Sequence, residues 1–209
     1  MIAIIDYDAG NLKSVEKACL MLGQECIVTR GRRDILHADG VILPGVGSFG
    51  MAMEQLKRYE LDKVIRETVE QGKPFLGICL GLQLLFAGSE ESDGVEGLGL
   101  LEGRIVRIPE GDGRKIPHIG WNSLSLRNDG RLFCGLPVQA GGQPYVYFVH
   151  SYYLKAEDAS IVTAVTEYGV PMHDSVERGN IFACQFHPEK SSAVGLKILK
   201  NFADLARVS

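Results

Sequence analysis

The stretch Phe75-Leu76-Gly77-Ile78-Cys79-Leu80-Gly81-Leu82-Gln83-Leu84-Leu85-Phe86 constrains this chain more than any other. Pro74 opens a short apolar run, Phe75 to Ile78, that suits a strand covered on both faces. Strong helix formers continue from Leu82. Between them, Gly77-x-Cys79-x-Gly81 reads as a sharp strand-to-helix turn with a nucleophile at its apex. The glycines let neighbouring backbone approach closely. The helix N-terminus favours thiolate over thiol at Cys79. The Leu80 N–H is placed where an oxyanion would form. A buried cysteine is more often a small apolar filler, so the motif needs a base elsewhere in the chain.

Length and composition fit one domain, residues 1–209, with a full core: 209 residues, 45% hydrophobic and 23% charged. A net charge of −4 gives no reason to expect nucleic acid or an anionic membrane as partner. No apolar run is long enough to span a bilayer, and the start, Met1 to Asp6, lacks a basic flank, so the cytoplasm is the expected location. The five cysteines, Cys19, Cys26, Cys79, Cys134 and Cys184, are scattered and show no zinc spacing. Neither a metal nor a cofactor is expected. Cys19 and Cys184 read as core.

Ile2 to Asp6 is a buried strand, followed by a turn with Asn11 or Ser14 as helix cap. Leu12 to Leu22 has helical apolar spacing and stops at Gly23. Cys26 to Thr29 and, after a short link, Gly40 to Leu43 are strands, and helices follow over Ser48–Tyr59 and Leu61–Gln71. This rhythm predicts an α/β fold, an open, mostly parallel sheet flanked by helices, with the ligand site beyond the carboxyl ends of its strands. Glu90 to Gly103 reads as loop, Arg104 to Ile108 as strand, Pro117 to Ser123 as irregular and Asn128 to Gly142 as turns. Strands over Tyr145–Val149, Ile161–Thr166 and Ile181–Gln185 predict an added antiparallel or mixed part in the second half. Ser191 to Ala206 closes the chain as an amphipathic helix.

The base is found at Phe186-His187-Pro188-Glu189. Pro188 favours an extended His187, and in extended backbone His187 and Glu189 share a face. A carboxylate beside an imidazole fixes its tautomer and stabilises its protonated form. Cys79, His187 and Glu189 therefore make a nucleophile, base and orienter, although an isolated His-x-Glu would be a plain surface pair. His37 and His173 read as surface. His118 and His150 lie near site loops but have no carboxylate at orienting spacing. Gly45-Val46-Gly47, after a strand, is the candidate for a second oxyanion donor.

Pro44-Gly45-Val46-Gly47-Ser48-Phe49, Gly77 to Gln83 and Phe186-His187-Pro188-Glu189 resemble the three signatures of class I (triad) glutamine amidotransferases. Gly10-Asn11-Leu12, Pro117-His118-x-Gly120-Trp121-Asn122, Tyr147 to Tyr152 and Lys190-Ser191 are similar to the glutaminase subunits of imidazole glycerol phosphate synthases. The resemblance covers essentially the whole chain. It implies that Cys79 attacks the amide of glutamine, that His187 protonates the leaving ammonia and that Glu189 orients His187. It implies oxyanion donors at Leu80 and within Val46-Gly47, and glutamine held by Gly45, Gln83, Ser151 and Tyr152. It implies a (β/α)8-barrel cyclase partner in a heterodimer, faced by Asn11, Trp121, Asn122, Tyr147 and Lys190. That partner would use the ammonia to turn the PRFAR intermediate into imidazole glycerol phosphate and AICAR in histidine biosynthesis. It further implies a glutaminase nearly silent without its partner, with the Val46 peptide as the switch. The competing readings are an amidotransferase of another pathway, a non-catalytic subunit on the same fold, and a cysteine peptidase.

Overall fold

The structure is a computed structural model that describes residues 1–111, 113–138 and 142–208, the side chain of residue 208 excepted. The first half alternates strand and helix. β1 (Ile2–Ile5) leads through α1 (Leu12–Met21) to β2 (Cys26–Thr29), then through α2 (Arg32–His37) to β3 (Gly40–Leu43). α3 (Phe49–Arg58) and α4 (Leu61–Glu70) precede β4 (Phe75–Ile78), and α5 (Leu80–Leu84) starts directly after the Cys79 turn. α2 was not expected, because it is one short turn with a single buried apolar residue, Ile35, and so carries no periodic signal.

The second half supplies β5 (Gly103–Arg107), β6 (His118–Ser123), β7 (Ser125–Leu126), β8 (Tyr145–His150) and β9 (Tyr152–Ala156). β10 (Val162–Glu167), β11 (Pro171–Arg178), β12 (Ile181–Cys184) and α6 (Ser192–Val208) complete it. One expectation is corrected here, and one strand had no counterpart in the sequence reading. Pro117 to Ser123 is not irregular: His118 to Ser123 is a strand paired antiparallel with β8. Its outward residues Ile119 and Trp121 are apolar and its inward His118 is polar, which inverts the usual strand pattern. β11 escaped notice because it buries Asp174 and Ser175, so it lacks an apolar face. Of the turn-rich stretch from Asn128 to Gly142, positions 139–141 lie outside the described residues.

The sheet runs β2-β1-β3-β4-β12-β11-β10-β7. β2, β1, β3, β4 and β12 are parallel. β11, β10 and β7 extend the same sheet antiparallel, and β9 attaches to β11 and β5. The antiparallel part expected in the second half is thus a continuation of the parallel sheet. Both faces are covered, which explains strands apolar at every position. Ala3, Ile5, Val41 and Leu43 meet α3 and α4 on one face, while Ile2, Ile4, Ile42 and Leu76 meet α1 and α6 on the other. Among the described residues no helix is long and apolar enough to cross a membrane.

The order β2-β1-β3 reverses direction at β1, so the crevice beyond the carboxyl ends of β1 and β3 is the expected ligand site. The loops after β1, β3 and β4 all open there. One contact sets their spacing: a Cβ on Gly81 would lie 1.8 Å from the Leu43 carbonyl oxygen. Gly81→Ala is therefore expected to cost about 3 kcal/mol by forcing backbone apart. Gly23→Ala, strained only by its φ of +68° with nothing nearby, is expected to cost about 1 kcal/mol. Urea unfolding of both variants checks this, and equal costs would count against the close approach as the constraint.

Candidate active site

Cys79 sits at φ 55° and ψ −108°, a conformation that residues with a Cβ rarely adopt. Strain of this kind persists only where the surroundings hold it. Here the Cys79 N–H donates to the Cys184 carbonyl at 2.8 Å, and Leu82 and Gln83 N–H groups return to the Cys79 carbonyl. The thiol is almost fully buried, at the floor of a cavity of about 280 Å³. That cavity is lined by Val46, Gly47, Leu80, Gln83, Glu91 and Ser151, among others. It has room for a molecule of amino-acid size.

His187 follows β12 in extended backbone, as expected. Glu189 does not: it lies on a short helical turn, Pro188–Lys190, that begins at Pro188. The two side chains still meet, with Nδ1 of His187 donating to Oε1 of Glu189 at 2.8 Å, and both are shut off from solvent. The backbone of His187 is fixed separately. Its N–H donates to the Tyr147 carbonyl at 2.9 Å, and its carbonyl accepts from the Ser191 hydroxyl at 2.6 Å. Among the described residues Nε2 finds no hydrogen bond of ordinary geometry. Burial disfavours the imidazolium, but Cys79 and Glu189 together outweigh it and raise the pKa of His187 to about 9. Burial likewise opposes ionisation of Glu189, yet His187 and Asn11 hold its pKa below the ordinary value.

Asn11 departs from its expected cap role. It occupies the N-cap position of α1 in a left-handed conformation, with no side-chain cap bond. Its amide donates instead to Oε1 of Glu189, so the triad carboxylate has taken the side chain that the helix would otherwise use.

The Leu80 N–H donates to the Gly45 carbonyl at 3.4 Å. Val46 and Gly47 line the cavity, with Gly47 at φ +101°, while Gly45 lies outside the lining. Tyr7 backs this loop, its hydroxyl donating to the Pro44 carbonyl at 2.9 Å. Gln83, Ser151 and Tyr152 do line the cavity.

Among the residues expected to face a partner, Trp121 is 52% exposed and meets Tyr147 edge-on at 6.1 Å. Asn122 is half-buried on the same strand and Lys190 is exposed on the turn after His187. Trp121 and Tyr147, with Ile119 and Tyr145, form an open apolar face on the β6–β8 ribbon. Cys19 and Cys184 are core, as expected. His37 is exposed, but His173 is half-buried and accepts from the Ala156 N–H at 3.1 Å.

Two site residues went unnoticed in the sequence. Glu91 belongs to an acidic stretch that looked like plain loop. Its carboxylate accepts the Phe49 N–H at 2.7 Å, at the N-terminus of α3, and also borders the cavity. Gln185 is fully buried, and its Nε2 donates to the Cys79 sulfur at 3.6 Å. Its signal was present: it stands two residues before His187 at the end of an apolar strand. Among the described residues no group of three or more His, Cys, Asp or Glu side chains is arranged to hold a metal.

Comparison with known proteins agrees with this geometry. The family model "Glutamine amidotransferase class-I" matches residues 3–205. The imidazole glycerol phosphate synthase subunit HisH of Moorella thermoacetica is 52% identical over 99% of this chain and 95% of its own length. That of Bacillus cereus is 51% identical over 97% of this chain and 93% of its own. A solved glutamine amidotransferase superposes with a TM-score of 0.76 at 21% identity, covering 99% of this chain and all of that one. PurLQS from Thermotoga maritima superposes at 0.73, with 21% identity and 97% of each chain covered, and supports the same fold. The chain therefore belongs to the class-I glutamine amidotransferases, within the family of HisH subunits of imidazole glycerol phosphate synthase.

Proposed function

We propose that this chain, as one catalytic unit over residues 1–209, hydrolyses glutamine and hands the ammonia to a (β/α)8-barrel cyclase subunit. The carrying observation is Cys79 in the lining of a cavity, with His187 beside its sulfur and bonded to Glu189 behind that lining, in a chain of this family. The Cys79 thiolate attacks the side-chain amide carbon of glutamine. Nε2 of protonated His187 gives its proton to the amide nitrogen, the C–N bond breaks, and ammonia leaves a glutamyl thioester. Water then attacks the thioester, His187 takes its proton, and glutamate departs as the thiolate is restored. Glu189 keeps the Nδ1 proton of His187 in place through both steps.

The oxyanion needs two donors. The Leu80 N–H is one, and it is occupied by the Gly45 carbonyl. The Gly45 carbonyl and the Val46 N–H belong to one planar peptide and point oppositely. A carbonyl aimed at Leu80 therefore turns the Val46 N–H away, and one rotation of that peptide would free the first donor and deliver the second. This supports a glutaminase that is idle until its partner is seated. The partner would dock on the ribbon face of Trp121 and Tyr147, with Asn122 and Lys190 beside it. There it would convert PRFAR to imidazole glycerol phosphate and AICAR, in the cytoplasm.

Glutamate release by the purified chain should be low alone and rise sharply only with the cyclase and PRFAR together, and Cys79→Ala should abolish it. No glutamate under any condition from a folded chain would point to a non-catalytic subunit. Glu91, the carboxylate beside the cavity, suits the α-ammonium of the substrate. Glu91→Gln is expected to raise KM for glutamine about tenfold with little change in kcat, since a charge-assisted contact contributes roughly 1.5–3 kcal/mol. An unchanged KM would remove Glu91 from the site.

The pKa of His187 stands above its ordinary 6.5. Its pairing therefore stabilises the fold fully below about 6.5, and that stability is lost as pH rises through about 9. Cys79→Ser removes one of the two groups that raise it, so an NMR titration should place the His187 pKa lower in the variant. An identical titration curve would show that the thiol and the imidazole do not interact.

A further inference from the structure

The carbonyl of Tyr152 accepts two side-chain hydrogen bonds, from His150 Nδ1 at 2.8 Å and from Gln83 Nε2 at 3.2 Å. A carbonyl can only accept, so it fixes the direction of everything attached to it. On one side, His150 must carry its proton on Nδ1. Burial pushes its pKa down to about 3 and that of His118 down to about 4, so both rings are neutral at physiological pH. Nε2 of His150 is then an acceptor, and it meets Nδ1 of His118 at 3.1 Å. His118 must in turn donate from Nδ1, leaving its Nε2 to accept from the Asn122 amide at 3.4 Å. The Asn122 amide is oriented to match, because its oxygen accepts the Ser123 N–H at 2.8 Å.

On the other side, Gln83 spends its Nε2 on Tyr152 and on Oε1 of Gln185, the latter at 3.0 Å. With its oxygen so engaged, Gln185 can face the Cys79 sulfur only with Nε2, at 3.6 Å. One backbone carbonyl thus sets two arms. One ends on the nucleophile, and the other ends on Asn122, next to the exposed Trp121.

We propose that Gln185 is a further catalytic residue, the N–H donor that stabilises the Cys79 thiolate, and that His118 and His150 are positioning residues that hold it in that orientation through Tyr152 and Gln83. This deepens the reading of Cys79 as nucleophile and rests on it. A donor at sulfur lowers the free energy of the thiolate relative to the thiol. The other titratable groups near Cys79 are His187, Tyr7 and Cys184, with Glu189 behind His187 and Glu91 across the cavity. The substitution below changes none of them.

Two measurements on the full chain test this. In 15N imidazole spectra of the wild type, His118 and His150 are expected to carry their protons on Nδ1, with Nε2 bare. A proton on Nε2 of His150 would overturn the proposal. Second, alkylation of Cys79 by iodoacetamide is followed against pH, with peptide mapping to separate it from the exposed Cys134. Gln185→Met, verified as folded by circular dichroism, is expected to shift the profile up by about one pH unit, a rate about tenfold lower near neutrality. An unchanged profile in the folded variant would also overturn it. If the variant does not fold, the wild-type spectra decide alone. Normal glutamate release with an unchanged profile leaves the glutaminase standing and removes Gln185. A shifted profile in a chain that never releases glutamate does the opposite.

Discussion

The site depends on backbone meeting backbone at Gly81. Because that residue lacks a Cβ, the first turn of α5 lies against the Leu43 carbonyl, and β3 and β4 are drawn together at their carboxyl ends. Three things follow from that spacing. The loop after β3 comes within hydrogen-bond reach of Leu80, as its Gly45 carbonyl shows. Cys79 is left no relaxed conformation and takes a positive φ, which lifts its sulfur to the cavity floor. The next strand across, β12, then accepts the Cys79 N–H and ends with Gln185 and His187 beside the sulfur. Segments far apart in sequence become one site because the strand order β3-β4-β12 makes their ends neighbours.

Burying His187 and Glu189 works against stability. Taking an imidazole and a carboxylate out of water costs several kcal/mol per ion, and their attraction recovers this only with good geometry and further hydrogen bonds. The geometry is good and Asn11 supplies one more bond, but Oε2 of Glu189 has no hydrogen-bond partner among the described residues. An apolar pair of the same volume would serve the core at least as well. The arrangement is intelligible as a way to keep a proton on a buried imidazole, since Cys79 and Glu189 together outweigh burial and hold His187 protonatable near neutral pH.

The parallel half of the fold was legible because its strands are apolar throughout and its helices have clear periodicity. The proximity of Cys79, His187 and Glu189 was legible because an elbow with flanking glycines and a His-Pro-Glu strand end each have a local physical reason. What was not legible broke local rules under tertiary influence. Asn11 looked like a cap and serves Glu189. β6 looked irregular because it turns its apolar side chains outward, and β11 gave no strand signal because Asp174 and Ser175 are inside it. Glu91 and Gln185 acquire meaning only from neighbours brought in by folding, the N-terminus of α3 and the sulfur of Cys79.

The β6–β8 ribbon carries more than an exposed apolar face. Tyr147 in β8 accepts the His187 N–H on its carbonyl and donates its own N–H to the Ser191 hydroxyl oxygen. His150 ends the same strand, and His118 stacks on Phe148 beneath it at 4.8 Å. A partner seated on Trp121 would therefore bear on an element already bonded to the His187 backbone and, through Tyr152, to the Gln83 and Gln185 amides beside Cys79. The Gly45–Val46 peptide lies across the cavity, held from behind by the Tyr7 hydroxyl on Pro44. A ligand shifts an equilibrium only by as much as it binds the two states differently. Coupling from the ribbon to that peptide must therefore pass through a group that changes contacts when the peptide turns. Leu80 is such a group, because its N–H is bonded to the Gly45 carbonyl and would be released if that peptide turned, and it follows directly after Cys79, beside which His187 and Gln185 both lie.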